Sequence, residues 1–468
     1  MKMSLALVAA LLAACNTASS ELLPPPFGPN GRQPGRLFFP TGLAVAPDGT
    51  LLVANGNFNH AFDAGTVASI RKSYLDSLFS LHRDCDVPPP APAGCDQANG
   101  DIKFADAIMI GNYAGPLVLN SRGNVAFTGS RDTGKLNAVA VAPGGVLSCA
   151  DGAGDTAARD CRKGLVDLSA TAHLDGPYTI VPGDTQGPGQ PAPRPVLFVS
   201  SVVPHVDEIS GGVIFSSSNV AALDMNDPTQ VLFTMSVASR FVANGDAVGP
   251  MAFDAARRQL YLGGCYERFA NSGAGEPGSG ICLGQNSNLL RIVNVDAQAA
   301  AFPTAIELFS DVQSTQTTQL LLADPDPAGV PMTLWATMRA PDALVRIELP
   351  SQPSVAPRVR SAVPVPASPA DMTLIKRPGG GPDLIAIAAE KLGAVAIYDT
   401  GVDRVVAQVR RVGDSPFTIQ QLPCPADEPP DSVCLATTVF HSCSIGLIQL
   451  NTSAPSEAKL RARVGSCP

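Results

Sequence analysis

From residue 37 onward the chain alternates short apolar runs with turn residues, and this pattern recurs about seven times. Most copies open with an apolar strand that follows a turn containing Gly, Pro or Ser. These first strands are predicted at 40–45, 115–119, 176–180, 249–253, 319–322, 371–375 and 415–419. Apolar runs of about four to eight residues between turn signals are typical of short β-strands.

Each copy continues with three more strands. The second is apolar and ends in small residues, at 52–56, 126–130, 197–201, 260–264, 334–337, 385–389 and 435–438. The third is predicted at 67–70, 136–141, 220–223, 289–295, 344–349, 394–398 and 445–450. A fourth, less apolar strand leads to the next copy, as at 405–412, and Asp48-Gly49 in the first copy is a strong hairpin signal.

Four short antiparallel strands repeated at a period of roughly 50–80 residues predict an all-β fold, a seven-bladed β-propeller of four-stranded antiparallel blades. Strands that are apolar on both faces fit this fold because each blade lies between two neighbours. The alternative is an array of β-sandwiches. The C-terminal run Lys459–Val464 matches 405–412, so we expect it to be the outer strand of the seventh blade in a closed ring.

Two segments carry a resemblance to a known family, namely FPTGLAVAPDGTLLVANG at 39–56 and VVAQVRRVGDSPFTI at 405–419. The pattern resembles the seven-bladed YVTN/NHL-like propellers, the YncE-like group in particular, and it covers nearly all of 37–466. The chain departs from that group in its long cysteine-closed loops and in its lack of literal YVTN tetrapeptides. The resemblance implies the fold and only loosely a function.

The N-terminus predicts export. Lys2 precedes an apolar run to Ala14 that is too short to span a bilayer, as in a signal peptide. Its ending, Leu-Ala-Ala-Cys at 12–15, resembles the bacterial lipobox, which implies that Cys15 carries the lipid. The predicted organisation is a lipoprotein signal at 1–14, a Pro- and Gly-rich tether at 15–36 and a propeller domain at 37–468. The alternative is an ordinary secretory signal with a chance cysteine.

This reading places the protein in the cell envelope, with a bias towards the outer membrane because Asn16 follows the cysteine. Disulfides persist in such a compartment. The ten cysteines other than Cys15 allow many connectivities, and their spacing favours pairing between neighbours. The expected pairs are Cys85 with Cys95, Cys149 with Cys161, Cys265 with Cys282, Cys424 with Cys434, and Cys443 with Cys467.

Charged residues make up 16% of the chain and its net charge is −9, which argues against a nucleic-acid partner. No apolar run after residue 15 is long enough to span a membrane. Residues 71–83 predict one amphipathic helix, packed on an outer blade edge through Leu75, Leu78, Phe79 and Leu81.

In a propeller, the loops between the second and third strands share a face with the connections between blades. We call this the loop face and expect it to bind the ligand. The residues predicted to lie there are Asn55, His60, Arg131, His173, His205, Arg268, Arg339, Glu390 and His441. Histidines are also metal ligands and proton carriers, so a metal over the channel is the alternative to a polar binding surface without cofactor.

We therefore expect a membrane-anchored binding or scaffold protein that recognises a protein, peptide or glycan on this face. The alternative is a propeller enzyme, either a lactonase-like hydrolase or a metal- or quinone-assisted oxidoreductase. The fold alone does not separate the two. Convergence of His60, His173, His205 and His441 would favour the enzyme.

Overall fold

The chain folds into a seven-bladed β-propeller of the all-β class, as the pattern predicts. The computed structural model describes residues 22–25, 27, 35–81, 83–86, 95–97, 102–186, 192–201, 206–209, 212–215, 220–235, 246–266, 289–296, 304–308, 316–325, 329–352, 355–377 and 380–467. Among them, no helix is both long and apolar enough to span a bilayer.

The first three blades contain most of the insertions. Blade 1 has β1 (Pro40–Val45), β2 (Leu51–Asn55), β3 (Gly65–Ile70) and β5 (Phe104–Ile110), and β4 (Asp96–Gln97) pairs elsewhere. Blade 2 has β6 (Val118–Leu119), β7 (Val125–Ser130), β8 (Lys135–Ala142), β9 (Val146–Cys149) and β10 (Val166–Asp167). Blade 3 has β11 (Pro177–Thr185), β12 (Arg194–Ser201), β15 (Val220–Asp224) and β16 (Val231–Met235), with a separate hairpin of β13 (Val206–Ile209) and β14 (Gly212–Phe215).

The other four blades are more regular. Blade 4 has β17 (Asp246–Asp254), β18 (Gln259–Tyr266), β19 (Leu289–Asn294) and β20 (Thr304–Glu307). Blade 5 has β21 (Gln316–Pro325), β22 (Pro331–Arg339), β23 (Ala343–Glu348) and β24 (Arg358–Pro364). Blade 6 has β25 (Pro369–Ile375), β26 (Leu384–Ala389), β27 (Ala394–Asp399) and β28 (Arg404–Val409). Blade 7 has β29 (Pro416–Leu422), β30 (Ser432–Val439), β31 (Ser444–Asn451) and β32 (Lys459–Val464).

The outer edge of blade 2 departs from the four-strand pattern. Two short strands, β9 and β10, both pair with β8, at opposite ends of it. The segment between them is closed by the disulfide Cys149–Cys161. The long insertion in this repeat therefore splits the fourth strand and leaves the blade count at seven.

The core lies between neighbouring blades. In blade 6, every residue of β26 and β27 is buried on both faces of the sheet, except that Asp399 retains slight exposure. Their apolar side chains pack towards blade 5 on one face and towards blade 7 on the other. At about 25 cal/mol per Å² of apolar surface, such sandwiched sheets supply most of the driving force for folding. A single blade could not bury both of its faces alone.

The ring is closed. The inner strands β1, β6, β11, β17, β21, β25 and β29 contact one another in that order, and β29 contacts β1. The outer strand of blade 7 is β32, as predicted, and it pairs with β31. The four principal strands of blade 1 come from the N-terminal part of the chain and those of blade 7 from its C-terminal part. We call the boundary between these two blades the closure seam.

A segment of blade 1 braces the closure seam. We call the described residues of 71–97 the clasp. Its helix α1 (Lys72–Phe79) packs against β32, and Leu75, Leu78 and Phe79 are buried in a cluster that joins blades 1 and 7. Leu81, which the sequence places on the apolar side, is instead 44% exposed because the helix ends before it.

Beyond the helix, the clasp reaches the outer edge of blade 7. Its strand β4 pairs in parallel with β32. The backbone N–H of Cys85 donates to the carbonyl of Leu460 at 2.8 Å, and Arg461 Nη1 donates to the carbonyl of Arg83 at 2.7 Å. Blade 7 thus has five strands, the fifth of which comes from the blade 1 insertion.

Four of the five predicted disulfides are present. Cys85–Cys95 closes the clasp, and Cys443–Cys467 ties the chain after β32 to the loop between β30 and β31. Cys149–Cys161 and Cys424–Cys434 close loops of blades 2 and 7. The pairing of Cys265 with Cys282 lies outside the described residues, as does Cys15.

Candidate functional site

One register position recurs around the mouth of the channel on the loop face. Each inner strand has a bulge near its start, and the first residue of the bulge pairs with a residue of the second strand. We call the residue that follows this partner in the chain the exit position. The pairs Pro40–Asn55, Thr317–Met338, Pro369–Ala389 and Pro416–Val439 define it on blades 1, 5, 6 and 7, and the Ala114–Ser130 bridge defines it on blade 2. The residues at the exit position are Gly56, Arg131, Arg339, Glu390 and Phe440.

The backbone at the exit position is held by a repeated hydrogen bond. The N–H groups of Gly56, Glu390 and Phe440 donate to the carbonyls of Phe39, Ser368 and Ser415, at 2.9, 2.9 and 2.8 Å. Phe39, Ser368 and Ser415 each precede the proline that opens an inner strand, and each has a positive φ (51°, 59° and 64°). Because this unusual conformation recurs on three blades, it is a property of the propeller turn and not of one catalytic residue.

Aromatic rings cover the blade 7, 1 and 2 side of the mouth. Centroids lie 5.0 Å apart for Phe39 and Phe440, 5.1 Å for Phe58 and Phe440, and 4.9 Å for Phe58 and Tyr113. We call the half-buried residues Phe39, Phe58, Tyr113, Tyr178, Phe417 and Phe440 the aromatic patch. In a chain with only 5% aromatic residues, this concentration of rings at one surface is typical of a binding site.

Arg131 lies between two of these rings. Its guanidinium carbon is 5.0 Å from the centroid of Phe58 and 5.4 Å from that of Tyr178, within the range of cation–π attraction. Its Nε donates to the carbonyl of Tyr113 at 3.5 Å. Burial lowers the pKa of Arg131, although the guanidinium stays charged at neutral pH. Among the residues that the structure describes, no carboxylate forms an ion pair with it.

The opposite side of the mouth is internally neutralised. Arg339 Nη2 lies 2.9 Å from Glu390 Oε2, and both side chains are largely buried. Ser368 Oγ donates to the same carboxylate oxygen at 3.1 Å, and Arg339 Nε donates to the carbonyl of Pro369 at 3.1 Å. The charges of Arg339 and Glu390, both predicted binding residues, are therefore neutralised by each other across the boundary between blades 5 and 6.

A buried carboxylate joins three inner strands below this ion pair. Asp371 accepts hydrogen bonds from Gln319 Nε2 of blade 5 at 2.7 Å and from the backbone N–H of Ile419 of blade 7 at 2.9 Å. Burial raises the pKa of Asp371 to about 6, although the N–H groups of Ile419, Gln319 and Met372 oppose the rise. Burial also raises the pKa of Tyr178, which Arg131 and Arg339 counteract across the channel.

A serine and a histidine meet on blade 7. Ser415 Oγ lies 3.0 Å from His441 Nδ1, and Asp414 Oδ2 lies 3.6 Å from the same nitrogen. A Ser-His-Asp relay needs the acid and the nucleophile on different ring nitrogens. This contact therefore lacks the geometry of a triad, and the strain at Ser415 is the turn property described above.

The other predicted residues are dispersed. Asn55 is buried, where it accepts a hydrogen bond from the N–H of Phe38 and donates one to Thr66. His60 contacts the edge of Tyr113, with centroids 4.8 Å apart. His173 caps the C-terminus of helix α2 (Leu168–Ala172).

Two predicted residues, His205 and Arg268, lie outside the described residues. In the described part of the chain, no three His, Cys, Asp or Glu side chains are close enough together to hold a metal ion. His60, His173 and His441 do not form such a group. Convergence of all four histidines stays untested because His205 is not described.

The loop pattern predicts Arg131 at this site but not the rings around it. The predicted residues are polar side chains of the loops, whereas the aromatic patch comes partly from inner-strand positions such as Tyr178 and Phe417. Each of these follows a proline that opens an inner strand. An aromatic residue at that repeated position, in a chain poor in aromatics, is the signal that could have found them.

The described N-terminal segment also contacts the loop face. The N–H of Asp63, in the loop between β2 and β3, donates to the carbonyl of Leu22 at 3.0 Å, and the Leu22 N–H donates back to the Asp63 carboxylate. Pro24 and Pro25 are buried. The chain therefore reaches the propeller at the loop between β2 and β3, which also carries Phe58.

Solved structures with similar folds share little sequence with this chain. The β-propeller domain of Cps50 (Swd1) from Myceliophteria thermophila is 10% identical, with 89% of this chain and 98% of that chain covered and a TM-score of 0.49. A protein from Lactobacillus plantarum is 12% identical, with 78% and 82% covered and a TM-score of 0.45. A putative 6-phosphogluconolactonase from Bacteroides uniformis is 12% identical, with 78% and 82% covered and a TM-score of 0.44.

At these identities and scores, none of the three bears on what this chain binds. No protein-family model and no curated protein matches the chain. The resemblance to the YncE-like group therefore stays a prediction.

Proposed function

We propose that the protein is a binding protein of the bacterial cell envelope, anchored to the membrane through Cys15, which holds a protein, peptide or glycan ligand on its loop face. The observation that supports a binding role most directly is the aromatic patch with Arg131 at its centre. Aromatic and arginine side chains dominate binding energy at recognition surfaces, and here the rings are half-buried and the guanidinium has no carboxylate partner among the described residues.

The position of Leu22 supports the link between anchor and ligand. Leu22 is seven positions after Cys15, and a fully extended chain of that length spans at most about 25 Å. Leu22 is paired with Asp63 on the loop face. In an acylated protein this face would lie within that distance of the bilayer, so a ligand at the membrane surface would be within reach of the patch.

The anchor is tested by Cys15→Ser in the full-length chain. We expect the wild-type protein to sediment with membranes and the variant to be released into the soluble fraction. Retention of the variant in the membrane fraction, with unchanged mass of the mature wild-type chain, would contradict acylation at Cys15.

Ligand binding is tested on glycan and peptide arrays. We expect the signals of the wild-type protein to fall at least about tenfold in Phe58→Ala, because truncation of an anchoring ring commonly costs more than 1 kcal/mol. Val402→Ala is the matched control, since Val402 is 54% exposed on the turn between β27 and β28, on the opposite face. Signals that depend on Val402 and not on Phe58 would contradict the loop face as the binding surface.

A further inference from the structure

We infer that the ligand carries a carboxylate on a sugar ring, as in a uronic acid, and that Arg131 binds this carboxylate while the sugar lies on the aromatic patch. The inference rests on the proposed binding function and narrows the ligand to one chemical class. It depends on the orientation, charge and surroundings of Arg131.

The two rings fix the plane of the Arg131 guanidinium. Phe58 and Tyr178 lie 5.0 and 5.4 Å from its central carbon, on different blades. With Nε directed to the carbonyl of Tyr113, the two Nη nitrogens form the free edge of the group. They have no acceptor within the described part of the chain, and neither is a buried atom without a partner. Solvent, and hence a ligand, reaches that edge.

Neighbouring carboxylates are engaged elsewhere. Asp132, which follows Arg131 in sequence, accepts a hydrogen bond from Asn112 and lies close enough to His60 for an electrostatic interaction. Glu390 pairs with Arg339 on the opposite side of the mouth from Arg131. A partly buried cation without a counter-ion is costly, and an incoming anion relieves that cost. The site is therefore prepared for one negative charge.

A carboxylate fits this edge better than a phosphate does. Two parallel N–H groups of a guanidinium match the two oxygens of a carboxylate in a bidentate pair. A phosphate dianion is usually held by several donors or cations. In the described chain, Arg131 is the one cation in cation–π contact with the aromatic patch, and Arg339, which also acts on Tyr178, is paired with Glu390. The net charge of −9 also opposes approach of a polyanion.

A sugar fits the surroundings of Arg131 better than a peptide does. Asn59, His60 and Asp132 are exposed beside the rings, and their polar atoms can bond to the hydroxyl groups of a sugar. The C–H face of a pyranose is apolar and can lie on half-buried rings. A peptide that bound by strand addition would have to pair with an inner strand inside the channel, because the second and third strands of the blades at this face are paired on both edges.

The test is calorimetric titration of the protein with galacturonate, galactose and N-acetyl-glutamate amide. We expect galacturonate to bind at least about tenfold more tightly than galactose, because a charge-assisted hydrogen-bonded pair is worth about 1.5–3 kcal/mol. Arg131→Gln should remove this preference, and Arg131→Lys should retain part of it. Arg122→Gln, on an exposed turn of the same blade at the opposite face, should bind as the wild type does.

Three outcomes of the titrations would overturn the inference. These are equal binding of galacturonate and galactose by the wild type, binding of the glutamate derivative in place of galacturonate, and a preference that survives Arg131→Gln. If Arg131→Gln does not fold, the comparison of galacturonate with galactose on the wild-type protein still tests the inference. Array ligands that are neutral but depend on Phe58 would overturn this inference and leave the proposed binding function standing.

Discussion

Arg131 and Arg339 occupy the same exit position on blades 2 and 5, yet their surroundings are opposite. Arg339 meets the carboxylate of Glu390 from the next blade, whereas Arg131 meets only aromatic rings and a backbone carbonyl among the described residues. On blade 3, the residue after the end of β12 is Val202 in the sequence, which has no carboxylate to offer.

One side of the mouth therefore has polar groups that pair with one another, and we expect the ligand on the other side. Blades 5, 6 and 7 are joined by polar contacts that satisfy one another, with Asp371 bonded to both neighbouring inner strands. The blade 7, 1 and 2 side leaves a cation and several rings at the surface. Charged groups that satisfy each other contribute to the fold, while those without an internal partner mark a functional site.

The open side also lies over the closure seam between blades 7 and 1. Phe440 of blade 7 contacts Phe39 and Phe58 of blade 1, so the aromatic patch itself crosses the seam. The clasp crosses the same seam at the outer edge. We therefore expect the binding surface and the ring closure to be mechanically coupled.

The largest effect is expected on breaking the clasp. Replacing both Cys85 and Cys95 with Ala should lower the free energy of unfolding by about 3 kcal/mol, as loss of a native disulfide commonly does. Chemical denaturation measures the loss. Faster amide hydrogen exchange at Cys85 and Arg463, whose N–H groups bond across the clasp and β32, would locate it at the seam.

The matched control removes Cys149 and Cys161. That pair spans 12 residues against 10 for the clasp, so the chain-entropy contributions are nearly equal. It lies on blade 2, away from the seam. Equal losses in both variants, with unchanged exchange at Arg463, would contradict a specific role of the clasp in closure.

Next in size is Phe440→Ala, which removes the ring shared by both sides of the seam. Because this ring is half-buried, we expect a loss of about 2 kcal/mol in unfolding free energy. Galacturonate affinity should fall together with stability, since Phe58 loses its support. A lower unfolding free energy with unchanged galacturonate affinity would contradict the coupling between the closure seam and the binding site.

A smaller effect is expected from Glu390→Gln, which makes the blade 5 side resemble the blade 2 side. A double-mutant cycle with Arg339→Gln should give a coupling of about 1 kcal/mol, because the pair is partly buried and shares Ser368. A coupling energy near zero would contradict the ion pair that distinguishes Arg339 from Arg131.

The last prediction concerns the pH dependence due to Asp371. Its pKa is about 6 in the folded protein and is near 3.8 when unfolded, so between these values the folded state holds a proton that the unfolded state has lost. Its contribution to stability therefore falls as pH rises from about 4 to about 6 and is constant outside that window. Asp371→Asn should remove this fall, measured as the difference between the two proteins in denaturation at each pH. A constant difference across the window would contradict the raised pKa.

The repeat was predictable because each strand carries its own signal. The first strand, Pro40–Val45, has the bounds that its apolar pattern predicts. Lys459–Val464 is the outer strand that its match to the fourth strand of blade 6 predicts. Arg131, Arg339 and Glu390 were predictable as loop-face residues because each lies at or directly after the end of a second strand.

The clasp and the aromatic patch were not predictable in the same way. Strand β4 has two residues and pairs with β32, more than 360 positions away in sequence, so no local pattern indicates it. Phe39, Phe58 and Phe440 meet only because the ring closes. The burial of Asn55 likewise depends on Phe38 and Thr66, which its own sequence context does not reveal as partners.

The most direct test of a carboxylate site at Arg131 is a crystal structure of the protein soaked with galacturonate. We predict both carboxylate oxygens within about 3 Å of the two Arg131 Nη atoms, with the sugar over Phe58 and Tyr178. A carboxylate bound at Arg339 or on the opposite face, with the Arg131 edge left to water, would contradict the difference drawn between the two sides of the channel mouth.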